Sequence, residues 1–197
     1  NFTMPSPIQS QCLPIALSGR DLVGIAATGS GKTLAFGLPA IKHIRAQIDA
    51  GVASGTKPVA LVIAPTRELA CQIENEANTF GKSAGIVTAC AYGGAPKQSQ
   101  IGTLKRGSRV LVATPGRLND LIEGSDAVKL TAIAKLVVDE ADRMLGMGFE
   151  PQIRKILKNV QRNDILSCTQ LHGQKLSTEV VSIFEMSIRI CHTGRCR

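Results

Sequence analysis

Lys32 and Thr33 close the stretch Ala26-Ala27-Thr28-Gly29-Ser30-Gly31-Lys32-Thr33, and far downstream Asp139 and Glu140 begin Asp139-Glu140-Ala141-Asp142. An ammonium, a hydroxyl and two carboxylates are the parts of a phosphoryl-transfer site. Glycines let a loop turn its backbone N–H groups onto a phosphate chain, so Ala27, Thr28, Gly29, Ser30 and Gly31 supply the cradle. Lys32 brings a full positive charge to the β- and γ-phosphates, and Thr33 offers its hydroxyl to Mg²⁺. Asp139 is expected to hold the same ion through water, while Glu140 orients and deprotonates the attacking water. Ala26 stands where the phosphate-loop pattern has its first glycine, which requires a negative φ there and removes no phosphate ligand. The plainer alternatives are a glycine-rich turn and a solvated acidic helix cap. Neither asks for Gly-Lys-Thr to open a helix after an apolar strand, with an acidic pair at a second strand end.

For these parts to meet, strands must carry them. Leu22-Val23-Gly24-Ile25 reads as a short buried strand leading into the loop, and a helical pattern runs from Lys32 towards Gln47. The alternation continues with a strand over 59–64, a helix from Arg67 to Phe80 capped by Thr66, and a strand from Ile86 to Ala91. A turn at Gly93-Gly94 leads to a short helix near Pro96 to Lys105, then a strand over 110–113 and a helix from Thr114-Pro115 to about Glu123. Leu136-Val137-Val138 leads to Asp139, and Ile165-Leu166 makes a last short strand. At the start, Ser6 is expected to cap a helix with Pro7 in its first position, packing through Ile8, Leu13 and Leu17, interrupted at Pro14 and closed at Gly19. This alternation predicts an α/β fold, a mostly parallel β-sheet flanked by helices on both faces. Ligands of such sheets sit at the carboxyl ends of the strands, where every motif falls.

Arg67 and Arg117 each lie in the first turn of a predicted helix, where a cation opposes the helix dipole by roughly 0.3–1 kcal/mol. A nucleic-acid phosphate reverses that sign, because free N–H groups, the hydroxyl of Thr66 or Thr114 and a guanidinium converge on one oxyanion. Glu68 offers Arg67 a local alternative. Gly93-Gly94 either brings backbone close to the same strand or simply turns the chain. Gln9, if carried close to the loop, can pair its amide with the N6/N7 edge of adenine. Lys and Arg number 23 against 15 Asp and Glu, a net charge of +8 that favours an anionic partner. With no Trp, one Tyr and five Phe, base-stacking platforms are not expected, so a nucleic acid would be held by its backbone without sequence preference. A hydrophobic content of 44% over 197 residues excludes a disordered chain and suits one domain. No apolar run approaches the roughly 18 residues of a membrane helix. Six cysteines (Cys12, Cys71, Cys90, Cys168, Cys191, Cys196) without a CxxC, and an N-terminus without a signal pattern, predict free thiols in a reducing, intracellular compartment. Cys191-His192 with Cys196 would be half a metal site without a second half.

In order and spacing these stretches resemble the motifs of DEAD-box RNA helicases, and the chain from Pro5 to about Thr169 is similar to the family's first RecA-like domain. Pro5-Ser6-Pro7-Ile8-Gln9 resembles the core of the Q motif and Ala26 to Thr33 motif I. Pro65-Thr66-Arg67-Glu68-Leu69-Ala70 is similar to motif Ia, Gly93-Gly94 to the GG motif, and Thr114-Pro115-Gly116-Arg117 to motif Ib; Asp139 to Asp142 spells the family name. The resemblance implies a RecA-like P-loop NTPase fold with ATP and Mg²⁺ as cofactors. It implies adenine sensing by Gln9, catalysis through Lys32, Asp139 and Glu140, and RNA backbone contacts from Thr66, Arg67, Gly94, Thr114 and Arg117. Asp142, Ser167 and Thr169 would couple domains.

The same resemblance divides the chain into a Q-motif segment (1–19), an ATP-binding domain (20–169) and a divergent tail (170–197). It also implies a second RecA-like domain, in cis or trans, whose arginines complete the ATP site; the chain itself is expected to be a monomer. The aromatic that the family places upstream of the Q motif would lie before Asn1, so weaker adenine binding is expected. Ser167-Cys168-Thr169 stands for Ser-Ala-Thr and keeps both hydroxyls. Beyond Thr169 the resemblance fades, no second RecA-like domain follows, and His192-Thr193-Gly194-Arg195 echoes a fragment of motif VI by chance. Two functions from different classes fit: the first domain of an ATP-dependent RNA helicase, or a non-catalytic ATP- and RNA-binding competitor or regulator. A small-molecule phosphotransferase leaves Arg67 and Arg117 unexplained. Alone, the chain is expected to hydrolyse ATP very slowly and not to unwind a duplex.

Overall fold

Strands buried on both faces need mostly apolar side chains, and four short runs supply them, with Thr88 and Lys135 as polar first residues: β1 (Ala60–Ile63), β2 (Thr88–Ala91), β3 (Val110–Ala113) and β4 (Lys135–Val138). The computed structural model describes residues 3–27, 29–51 and 57–160. Thr28, the strand expected at Ile165-Leu166, Ser167, Thr169 and the tail lie outside them. The four strands pair in parallel in the order β2-β3-β1-β4. Ile63 lies opposite both Ala113 and Val138, and Ala91 lies opposite Ala113, so all four strands end level.

Alternate strand residues feed two separate cores, as the two-residue period of a strand requires. Leu61, Ile63, Leu111, Ala113, Leu136 and Val138 face one of them, with Ile101 and Leu104 of α4 (Lys97–Lys105), Leu118 and Leu121 of α5 (Pro115–Gly124), Met144 of α6 (Ala141–Gly146), and Ile153 and Ile156 of α7 (Glu150–Asn159). Ala60, Val62, Val110, Val112 and Val137 face the other, with Phe36 and Ile44 of α2 (Lys32–Asp49) and Ala70 and Ile73 of α3 (Arg67–Gly81). The expected parallel sheet with helices on both faces is therefore present. Among the described residues no helix is long and apolar enough to cross a membrane.

Three local expectations are corrected. Leu22-Val23-Gly24-Ile25 is not a strand: residues 21–27 carry no ladder pairing, and Val23 and Ile25 are 38% and 51% exposed. Gly24 in so short a run gives a strand nothing to pack. The first helix, α1 (Pro7–Leu17), runs through Pro14 instead of breaking there. Proline removes one hydrogen bond near the helix end, and Ile8, Cys12 and Ala16, spaced four apart, bury the face that packs on Ala35 of α2; Leu17 points to solvent. The strand expected from Ile86 begins only at Thr88, because the Ile86 N–H is taken by the Gly81 carbonyl (3.0 Å) at the end of α3.

Candidate functional site

At the carboxyl edge of the sheet, β4 delivers Asp139 and Glu140, while α2 begins at Lys32 after a loop that turns at Gly31. Together they line a cleft of about 370 Å³, with Gly29, Gly31, Lys32 and Thr33 on one wall, Asp139 and Glu140 on its floor, and Leu69, Gln72 and Glu76 of α3 opposite. Lys32 is only 7% exposed, and its Nζ donates to the carbonyls of Ala26 (2.5 Å) and Ala27 (2.6 Å). Gly31 sits at φ +86°, a backbone conformation that favours glycine, and a Cβ there would come within 2.4 Å of Gln9 Nε2 and displace that amide.

The loop is tied to α1 by side chains. Ser6 Oγ donates to the Ser30 carbonyl (2.7 Å), and Gln9 Nε2 donates to the Gly31 carbonyl (3.0 Å). Gln9 Oε1 accepts from the Ser6 N–H (2.9 Å), closing the start of α1. Sequence reasoning foresaw Gln9 near the loop but assigned it only to adenine. A primary amide can take part in four hydrogen bonds, so one N–H and one lone pair of Gln9 remain for a base edge.

Glu140 is the one non-glycine residue with positive φ (50°) among the described residues. Such a conformation costs about 1–2 kcal/mol and persists where surroundings enforce it. Here the Glu140 N–H donates to Asp139 Oδ1 (3.0 Å) and Arg143 Nη1 donates to Glu140 Oε2 (3.0 Å). Burial first, and the neighbouring Glu140 carboxylate second, push the Asp139 carboxyl up to about 6; the Glu140 N–H and Lys32 oppose that rise. Two carboxylates crowded out of water beside a lysine suit a cation. Among the described residues no three His, Cys, Asp or Glu side chains gather in a metal-holding group. A Thr33 hydroxyl and one aspartate fit Mg²⁺, which keeps water and substrate phosphate as its other ligands.

The ends of β1, β2 and β3 carry the second group of predicted residues. Thr66 caps α3 as expected, its Oγ1 accepting from the Leu69 N–H (3.3 Å). Arg67 is exposed, with its guanidinium 4.7 Å from the centre of the Tyr92 ring. Gly93 and Gly94 are exposed, Gly94 at φ +80°. Thr114 starts α5 and its N–H donates to the Ala91 carbonyl (3.0 Å). Arg117 is turned inward instead of towards solvent, with its side chain 10% exposed. Its Nη1 and Nη2 both donate to the Ala95 carbonyl (3.1 Å each), and Nη1 also donates to Gln100 Oε1 (2.7 Å). That makes Arg117 a brace behind the Gly93-Gly94 turn. Asp142 lies half-buried in the first turn of α6, while its expected partners Ser167 and Thr169 lie outside the described residues.

Sequence reasoning overlooked Leu69, Gln72 and Glu76, whose three- and four-residue spacings were visible as one helix face pointing down from the Thr66 cap. Gln72 Nε2 donates to Glu76 Oε1 (3.1 Å) on that face. It also overlooked Tyr92, because no local pattern ties a residue after β2 to the first residue of α3.

Known proteins with similar sequences and folds match this arrangement. The sequence model of DEAD/DEAH box helicases matches residues 6–175. The chain is 59% identical over 167 residues to the ATP-dependent RNA helicase dbp2 of Sclerotinia sclerotiorum, covering 85% of this chain and 28% of that protein. It is 56% identical over 160 residues to DEAD-box ATP-dependent RNA helicase 20 of Arabidopsis thaliana, covering 81% of this chain and 31% of that protein. A crystal structure of a hypothetical ATP-dependent RNA helicase from Sulfolobus tokodaii superposes with a TM-score of 0.81 at 31% identity, over 95% of this chain and 51% of that one. The chain thus spans less than a third of these two curated relatives.

Proposed function

Because this chain belongs to the DEAD/DEAH box helicase family, we propose that it is the first, ATP-binding RecA-like domain of an ATP-dependent RNA helicase. It couples ATP hydrolysis to RNA strand remodelling together with a second RecA-like domain, in cis or trans. The observation that carries this reading is the meeting of Lys32 and Thr33 with Asp139 and Glu140 in one cleft, from opposite ends of the sequence. Lys32 exchanges the carbonyls of Ala26 and Ala27 for the β- and γ-phosphates, and Gln9 reads adenine with the hydrogen-bonding capacity it has left. Thr33 and Asp139 would hold Mg²⁺, which would supply charge neutralisation at the phosphates. Glu140, poised by Arg143, orients the attacking water and accepts its proton.

RNA lies over the ends of β1, β2 and β3, held at phosphates by the Thr66 and Arg67 start of α3, the Gly94 turn and the Thr114 start of α5; Arg117 acts by holding the turn. The functional unit is 20–169 together with the segment 1–19, whose helix α1 packs on α2. The reading also takes a reducing, intracellular compartment, in which Cys12, Cys71 and Cys90, unpaired among the described residues, stay as thiols.

The test is calorimetry and turnover with the 197-residue chain. ATP should bind more tightly with Mg²⁺ than without, and turnover should be very slow alone. Fusion to a second RecA-like domain should produce RNA-stimulated hydrolysis, because an arginine from a neighbouring module is worth roughly 10³–10⁵ in rate. Glu140→Gln should abolish that hydrolysis and leave ATP binding. ATP binding no tighter than adenosine binding would end this reading.

A further inference from the structure

A cation in the first turn of α3 works against the helix dipole, and among the described residues Arg67 forms no ion pair, not even with its neighbour Glu68. What faces its guanidinium is the ring of Tyr92, 4.7 Å from the centroid. Tyr92 is well anchored: its carbonyl accepts from Gln100 Nε2 (3.1 Å), and Gln100 Oε1 accepts from Arg117 (2.7 Å). A ring on an anchored stretch of backbone thus sits beside an exposed cation, next to the Gly94 turn.

We propose that Tyr92 is a positioning residue for RNA binding, its ring face holding Arg67 in the orientation that meets a phosphate. This rests on the RNA reading above. A free arginine loses much rotamer freedom when it grips a ligand, and a side chain already ordered loses less. The choice of partner matters chemically. A carboxylate would use the N–H edges of the guanidinium and compete with phosphate. A ring attracts the cation through its π-face and leaves those edges to fork a phosphate oxygen pair.

Since the sequence has one Tyr and no Trp, intrinsic tyrosine emission of the whole chain reports on this contact. With the 197-residue chain and a short single-stranded oligouridylate, the wild-type emission should change on RNA addition, and that of Arg67→Ala should not. Tyr92→Leu should weaken binding about two- to fivefold at an unchanged salt slope, because Arg67 still reaches the phosphate. Arg67→Ala should instead lower the slope by about 0.7. Tyr92→Phe, which keeps the ring face, should bind like the wild type. The inference is overturned if Tyr92→Phe is as impaired as Tyr92→Leu, if Tyr92→Leu binds RNA like the wild type, or if it lowers the salt slope as Arg67→Ala does. Should Tyr92→Leu not fold, wild-type emission unmoved by bound RNA decides against it. No salt-dependent RNA binding by the wild type overturns the RNA reading and this inference together.

Discussion

On the part of the sheet edge proposed to hold nucleic acid, Thr66, Gly94 and Thr114 follow β1, β2 and β3, which are hydrogen-bonded neighbours in strict register. On the proposed nucleotide side, residues 21–27 leading to Lys32 belong to no strand, and the loop is held by Ser6, the cap of α1, by Gln9 of α1 and by Lys32 itself. A ladder spreads positional information over many backbone bonds, so losing one side chain moves little. A loop tied by a few side-chain bonds depends on each of them. The nucleotide side should therefore be the more fragile to single substitutions, and the nucleic-acid side should lose binding in proportion to the contact removed.

The largest effect should come from Lys32→Ala. Removing a buried charge that is proposed to meet phosphate should cost about 2–5 kcal/mol, roughly thirtyfold to several-thousandfold in ATP affinity, with adenosine changed little. Equal losses for both ligands in calorimetry would show that Lys32 acts only through the Ala26 and Ala27 carbonyls, as a loop tie.

Asp139 sharpens the contrast through pH. Its folded value of about 6 lies above the ordinary 3.8, so between those values the folded chain binds more protons than the unfolded one. Stability should then fall as pH rises from about 4 to 6 and level off above, by at most about 3 kcal/mol. Asp139→Asn should abolish that fall and leave the protein more stable at neutral pH in the absence of ligand. Chemical denaturation at several pH values checks this, and an unchanged pH profile in the variant would contradict it.

Arg117→Ala tests the nucleic-acid side, where the side chain is a brace. Losing its bonds to Ala95 and Gln100 should lower stability by about 2 kcal/mol and weaken RNA of all sequences alike, with ATP affinity retained. A full loss of RNA affinity at unchanged stability would make Arg117 a direct contact after all. Gln9→Ala removes the tie to Gly31 together with the amide proposed to read the base, about 1–1.5 kcal/mol, and should erase a preference for ATP over GTP. A wild type without such a preference would refute the adenine role. Thr66→Ala, the mildest change, removes one helix cap worth about 1 kcal/mol; a stability loss well beyond that in a thermal melt would mean the ladder does not buffer this side.

By itself the sequence determined whatever depends on residues close together along the chain. The four described strands are mostly apolar because both faces are covered, Thr66 caps the helix it precedes, Pro7 opens α1, and Gly31-Lys32-Thr33 turns a loop into a helix. Period and capping act within a few residues, so they are written locally. Only the tertiary structure decided the strand order that sets β1 between β3 and β4, and so places α3 where its first residues face the nucleic-acid side while Gln72 and Glu76 line the nucleotide cleft. It also decided that Arg117 turns inward to Ala95, that Tyr92 meets Arg67, that α1 continues through Pro14, and that residues 21–27 stay outside the sheet. Those outcomes rest on which distant groups offer a carbonyl, a ring or a packing face at contact distance, and neither propensity nor period carries that information.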